Sequence, residues 1–164
     1  MIEYACDRPE DLPAARQLFE AYAASIGIDL SFQGFNQELA TLPGKYAPPA
    51  GALILAREDG DPVGCVALRR IDPRTCEMKR LFVKPQGRGK KIGAELVRRI
   101  IKAAETRGYE AMRLDTLQTI MQSAISLYLG FGFQDIEPYI YNPLPGARFM
   151  EKRLHPRPAP RSGP

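Results

Sequence analysis

The stretch Glu77-Met-Lys-Arg-Leu-Phe-Val-Lys-Pro-Gln-Gly-Arg-Gly-Lys-Lys-Ile-Gly93 constrains this chain more than any other. A short apolar strand runs into a glycine-rich basic turn, and the turn opens a long helix. Helices normally carry Asp or Glu in the first turn, because the macrodipole makes that end partly positive. This helix is expected to open with Arg88, Lys90 and Lys91, with no acid before Glu95. Such an arrangement repels itself unless an anion sits there. Gly87, Gly89 and Gly93 let the backbone turn tightly and present several N–H groups to one ligand, as strand–loop–helix junctions do for pyrophosphate.

The pattern on either side gives the junction its setting. Ile2 to Cys6 has the length and composition of a strand. Leu12, Ala15, Leu18, Phe19, Tyr22 and Ile26 recur at helical spacing in a segment that starts at about Pro9 or Asp11 and is ended by Gly27. Asn36 to Leu42 reads as a short helix, followed by a loop from Pro43 to Pro49. Ala52–Ala56 and Val63–Leu68, split by Glu58-Asp-Gly-Asp-Pro62, are predicted to pair as an antiparallel hairpin. Cys76 to Val83 makes the fourth strand, and Ile92, Leu96 and Ile100 mark the long helix, which Gly108 stops. A strand at Ala111–Leu114, a helix over Thr119–Leu129 and closing strands near Gln134–Glu137 and Arg148–Leu154 complete the order. Hairpins with helices on either side predict an α/β fold with a mixed, mostly antiparallel central sheet flanked by helices, rather than a doubly wound parallel sheet.

A chain of 164 residues that is 45% hydrophobic suffices for one domain with a sizeable core. Residues 1–154 are assigned to that domain, and 155–164, rich in Pro, Arg and Gly, to a disordered tail. No apolar run approaches the roughly 20 residues that span a bilayer, and the start lacks the regions of a signal peptide. The expectation is therefore a cytoplasmic protein without a membrane partner. Cys6, Cys65 and Cys76 are odd in number and widely spaced, which fits reduced thiols rather than a disulfide framework, and no metal site is expected. The only histidine, His155, borders the tail, which argues against a Ser-His-Asp triad or a histidine-ligated metal. The net charge of +4 is unevenly placed: Arg69, Arg70, Arg74, Lys79, Arg80, Lys84, Arg88, Lys90 and Lys91 share one segment with only Asp72 and Glu77 against them. An anionic partner follows. Nucleic acid is not favoured, since the segment lacks interleaved aromatics and any helix-turn-helix, zinc-finger or RNA-binding signature.

Two nucleotide-binding readings of the glycines fit poorly. A dinucleotide fold places them after the first strand, whereas here they follow the fourth, and a P-loop needs Ser or Thr where Ile92 follows Lys91. The order strand, cradle, helix, strand, helix and then Tyr128-Leu-Gly-Phe-Gly-Phe133 instead resembles the GCN5-related N-acetyltransferase family over nearly all of residues 1–154. The family's acyl-CoA motif maps onto Arg88-Gly-Lys-Lys-Ile-Gly93, with Lys91 standing where the first motif glycine is usual; lysine can still offer its N–H in helical geometry. The resemblance implies an acyl-CoA N-acyltransferase-like fold and transfer of an acetyl group from acetyl-CoA to a primary amine.

It also implies roles for particular residues. Arg88, Gly89, Lys90, Lys91, Ile92, Gly93 and Ala94 would hold the pyrophosphate, and Leu81, Phe82 and Val83 would pair with the pantetheine arm as with an extra strand. Tyr128 would donate to the leaving thiolate. Glu77 is the candidate base, acting directly or through water, with a salt-bridged surface acid as its alternative; Asp115 is the other candidate. Met121 stands where many relatives carry an asparagine that contacts the cofactor. Tyr139, Tyr141 and Asn142, in the loop joining the last two strands, are candidate contacts for a small acceptor such as an amino acid or amine. The competing reading is a non-catalytic acyl-CoA-binding sensor. The exposed edges of the sheet make a homodimer plausible.

Overall fold

The computed structural model describes residues 1–118 and 121–157. Strands β1 (Ile2–Cys6), β2 (Ala52–Glu58), β3 (Asp61–Asp72), β4 (Thr75–Val83), β5 (Ala111–Leu117), β6 (Gln134–Asp135) and β7 (Ala147–Arg153) form one sheet in the order β1-β2-β3-β4-β5-β7-β6. Neighbours run antiparallel except β4 and β5, which are parallel. A parallel pair needs a crossover, and α3 (Ile92–Thr106) supplies it.

Alternation along the strands sorts the core into two layers. Ala52, Ile54 and Ala56 of β2, Val66 and Leu68 of β3, and Cys76 and Met78 of β4 face α3 and α4 (Gln122–Gly130). Leu53 and Leu55, with Cys65 and Ala67, face α1 (Leu12–Ile26) and α2 (Phe35–Ala40). The helices were legible because their apolar stripes are this regular: Ile92, Leu96, Val97, Ile100 and Ala104 of α3 are all buried, each large aliphatic chain contributing about 1.5–3 kcal/mol. Gly27 ends α1 at φ 64°, a left-handed geometry that glycine adopts without steric cost.

β4 breaks this alternation once. Cys65 pairs with Phe82 and Ala67 with Lys79, so Arg80 and Leu81 together stand opposite Val66. The extra residue is a β-bulge, and Arg80 takes a left-handed φ of 61° to make it. One inserted residue exchanges the faces of everything after it. Phe82 therefore packs on the α1 side, while Leu81 and Val83 pack on the α3 side. Beside the bulge β4 and β5 part: their pairing covers only Thr75–Glu77 with Ala111–Arg113. The β5-facing edge of β4 beyond Glu77 has no strand partner.

Several boundaries differ from the sequence reading. The long helix begins at Ile92, so Arg88, Lys90 and Lys91 precede it rather than fill its first turn, and Glu95 falls inside that turn. α4 begins at Gln122, with Met121 at its N-cap; Thr119 and Ile120, expected in this helix, lie outside the described residues. The expected tail begins docked: the backbone N–H groups of His155 and Arg157 donate to the carboxylate and the carbonyl of Glu105. The rest of that segment, 158–164, lies outside the described residues. Among the described residues no helix is long and apolar enough to cross a membrane.

Candidate active site

The parting of β4 from β5 opens a cleft of about 660 Å³ on one side of the bulge and a chamber of about 40 Å³ on the other. Tyr22, Ile26, Leu81 and Met121 line both, so the two spaces share a wall.

Leu81, Phe82 and Val83 run along the cleft to Arg88 and Lys91, with Gly93 and Ala94 at its end. The first hydrogen bond of α3 runs from the Glu95 N–H to the Lys91 carbonyl. The N–H groups of Ile92, Gly93 and Ala94 are thus left without intrahelical partners at the positive end of the dipole. Lys91 reaches this geometry at φ 61° and ψ 22°, a left-handed conformation rather than the helical one expected of it. The lysine occupies a glycine's backbone position at the usual L-residue cost of about 1–2 kcal/mol. Gly89 makes the other left-handed turn at φ 80°. Gly87 serves packing instead: a Cβ there would lie 3.1 Å from Val83 Cγ1 and 3.2 Å from Ile92 Cδ1.

Two of the expected cradle side chains turn away. Lys90 Nζ binds both carboxylate oxygens of Glu58, at 2.5 and 2.7 Å, and the Ile92 side chain is in the core. The wider basic segment is likewise compensated from within: Arg69 pairs with Glu77, Arg74 with Glu110, Lys79 with Asp115 and Arg80 with Glu38. The crowding of charge that implied a broad anionic surface resolves into internal pairs, with Arg88 and Lys91 left facing the cleft.

The chamber is polar. Lys79 and Asp115, their side chains 6% and 7% exposed, face each other at 3.7 Å on the parting strands. Asn142 donates to Asp115 Oδ2 at 3.1 Å. Lys79 makes no hydrogen bond among the described residues; burial, opposed by the Asp115 charge, lowers its pKa. Tyr128 enters from α4, packed edge-on against Phe133 with centroids 5.8 Å apart. Burial raises the pKa of its hydroxyl, keeping the proton on oxygen. Met121, at the α4 N-cap, accepts a 3.5 Å contact from the Thr116 hydroxyl through its sulfur.

One wall of the chamber is fastened by Arg80. From the bulge its Nε donates to Glu38 Oε2 at 2.9 Å and its two terminal nitrogens donate to Glu38 Oε1 and Gln33 Oε1, with Phe35 under the guanidinium at 5.1 Å. Burial would disfavour both charges, yet the pair holds the Glu38 carboxyl below its usual range and Arg80 above its own. This ties α2 and the turn before it to β4.

Glu77 does not line the chamber. It is fully buried, held by Arg69 Nε at 2.6 Å and by the Tyr139 hydroxyl at 2.5 Å. These contacts give the expected base the place of an anchor away from the chamber; of its alternative, the salt bridge is present, with Arg69 as partner, and the surface position is not. Tyr139 is corrected with it: burial and the Glu77 charge raise its pKa, and it fastens the β6–β7 loop instead of facing the chamber. Tyr141 is 74% exposed and meets Phe32 edge-on at 6.4 Å. Of the three expected acceptor contacts, Asn142 reaches the chamber. Sequence reasoning gave no site role to Lys79, although a signal existed: Glu77, Lys79 and Arg80 interrupt a strand whose neighbours are apolar, and strands covered on both faces normally avoid charge.

A sequence model described as the acetyltransferase (GNAT) family matches residues 14–133. An uncharacterized N-acetyltransferase of Schizosaccharomyces pombe is 44% identical over 148 residues, covering 89% of this chain and 90% of that protein. A GNAT-family acetyltransferase from Staphylococcus aureus superimposes with a TM-score of 0.77 at 22% identity, over 94% of this chain and 99% of that one. YncA from Salmonella typhimurium, solved with its cofactor acetyl-CoA, superimposes with a TM-score of 0.70 at 18% identity, over 99% of both chains. The two structures share the fold.

Proposed function

Since the chain belongs to the GNAT acetyltransferase family and is an acyltransferase, we propose that it moves an acetyl group from acetyl-CoA to the primary amine of a small metabolite by direct attack on the thioester. The observation that carries this reading is the continuity of cleft and chamber across the parting of β4 and β5. One end offers free helix N–H groups with Arg88 and Lys91, a fit for a pyrophosphate. The middle offers an unpaired strand edge at Leu81, Phe82 and Val83, a fit for the amide-bearing pantetheine arm. The other end offers Tyr128 and Asp115.

Acetyl-CoA supplies the acetyl group as an activated thioester. Asp115 accepts a proton from the acceptor's ammonium group, directly or through water, and so frees the nitrogen lone pair for the new C–N bond. Tyr128, kept protonated by burial, donates its proton to the sulfur as the C–S bond breaks, leaving CoA as a thiol. The proton that the new C–N nitrogen sheds as the adduct collapses restores the tyrosine hydroxyl through water. Lys79 stands beside the base, its ammonium 3.7 Å from Asp115 Oδ1. The enclosure of the chamber by α1, the parted strands, α4 and the β6–β7 loop favours a compact acceptor over a folded protein surface.

Calorimetric titration with acetyl-CoA, followed by thiol release on adding a panel of small amines, tests the whole reading. Saturable binding with release is the expected result. Binding without release from any amine, with acetylation of a peptide lysine, would replace the small acceptor by a protein one. Binding with neither would favour a sensor, and no binding would overturn the cleft assignment.

A further inference from the structure

The chamber contains a charged group that the transfer chemistry does not use up. The Lys79 side chain is 6% exposed, lines the chamber and makes no hydrogen bond among the described residues. Its one ionic contact, to Asp115 Oδ1 at 3.7 Å, exceeds hydrogen-bond length. Arg80, the other buried cation among the described residues, is fully engaged by Glu38 and Gln33, and the half-buried Arg69 has Glu77. The three Lys79 donors meet no protein acceptor at hydrogen-bond distance among the described residues and are open to whatever fills the chamber. Asp115 is the opposite case, one oxygen taken by Asn142 and the other turned toward Lys79.

We propose that Lys79 and Asp115 together read an α-amino carboxylate, Asp115 facing the acceptor's ammonium and Lys79 its carboxylate, so that the physiological acceptor is an amino acid or a close derivative. The proposal rests on the acetyl-transfer reading above and gives its acceptor a chemical class. A cation and an anion side by side on adjoining strands match a molecule that carries both charges on one carbon, with each charge meeting its opposite. An amine without a carboxylate leaves the Lys79 ammonium with only its 3.7 Å contact to Asp115. Sites built for a polar group reject analogues that lack it far more strongly than apolar pockets reject a missing methylene. Arg88 and Lys91 cannot serve this purpose, since they line the cleft and not the chamber.

The test compares matched pairs, each an amino acid and the amine formed by its decarboxylation, over apolar, polar and acidic side chains. Thiol release is measured for the wild type, Lys79→Met and Lys79→Arg. Acetyl-CoA affinity is measured first by calorimetry on all three. Absent binding by the wild type defeats the transferase reading itself, whereas retained binding by the variants shows that they fold and isolates the acceptor question. The wild type is expected to favour the amino acid by at least about tenfold in kcat/KM in one or more pairs. That preference falls to near parity in Lys79→Met, mainly through KM for the amino acid, and returns in Lys79→Arg. The proposal is overturned by parity or a preference for the amine in the wild type, by a ratio that Lys79→Met leaves intact, by equal loss of kcat for both members of a pair, or by acetyl-CoA binding with no amino acid turned over.

Discussion

The cleft and the chamber are built by opposite means. The cleft has one wall made by two stretches close in the chain, Leu81–Val83 and Arg88–Ala94, whose backbone offers N–H groups and an unpaired strand edge, and a second wall of α1 and α4 side chains such as Tyr22 and Leu127. The chamber takes its shape from side chains carried by α1, β4, β5, α4 and the β6–β7 loop, and it is held by buried ion pairs. Backbone donors are indifferent to side-chain identity, so the cleft tolerates Lys91 at a glycine position. Buried charges are not indifferent, and the chamber is where single substitutions should cost most.

The largest effect should come from the Arg80 anchor. Arg80→Met leaves Glu38 with Lys45 alone, at 3.2 Å, and should destabilise the fold by about 3–5 kcal/mol, measured by urea unfolding. Acid should expose the same pair. The folded state holds the Glu38 carboxyl below its ordinary value, so the unfolded chain binds more protons between the two values. Stability from this pair is full above the ordinary glutamate pKa and is lost as pH falls through the folded one. Glu38→Gln should therefore flatten the acid limb of the stability curve.

Tyr128→Phe sharpens the contrast from the chemical side. It should lower kcat by about a hundredfold or more while acetyl-CoA affinity, read by calorimetry, stays within about twofold. A variant that loses affinity and turnover together would place Tyr128 in the cleft rather than at the reaction. Arg88→Ala should do the reverse, weakening acetyl-CoA binding by about tenfold with little change in kcat at saturation. The smallest effect is also the most diagnostic for the backbone: Lys91→Gly should relieve the left-handed strain and raise stability by about 1 kcal/mol, visible in thermal unfolding. A loss of stability would mean that its side chain holds the turn.

The same contrast explains what the sequence revealed. The glycine turn, the strand before it and the helix after it lie within one stretch of chain, so their spacing could be read directly, as could Tyr128 ahead of Gly132-Phe133. The chamber could not be read this way. Asn142 meets Asp115, and Arg80 meets Glu38 across 42 positions, only after the sheet has formed. Glu77 and Tyr139 were noticed separately and given separate chemical roles; folding satisfies them with each other. Lys79 was counted among surface charges because, without the bulge and the parting of the strands, nothing marks it as interior. Lys91 shows a subtler limit: its position in the motif was legible, its left-handed backbone was not.

The extra residue at Arg80 has a consequence for how such a protein can change over time. It divides β4 into an upstream part, with Met78 and Lys79 on the chamber, and a downstream part, with Phe82 and Val83 on the cleft, each with its own parity. On the proposed reading, substitutions at Met78 and Lys79 should revise the acceptor while leaving acetyl-CoA binding in place. Deleting Arg80 would set Leu81 opposite Val66 and leave Leu81 and Val83 on the α3 side, whereas drawing Arg80 into regular pairing without a deletion would turn both to the α1 side. Transplanted into another scaffold, the intact strand keeps Leu81 and Val83 on the same face as Met78 only where the host lets the bulge form.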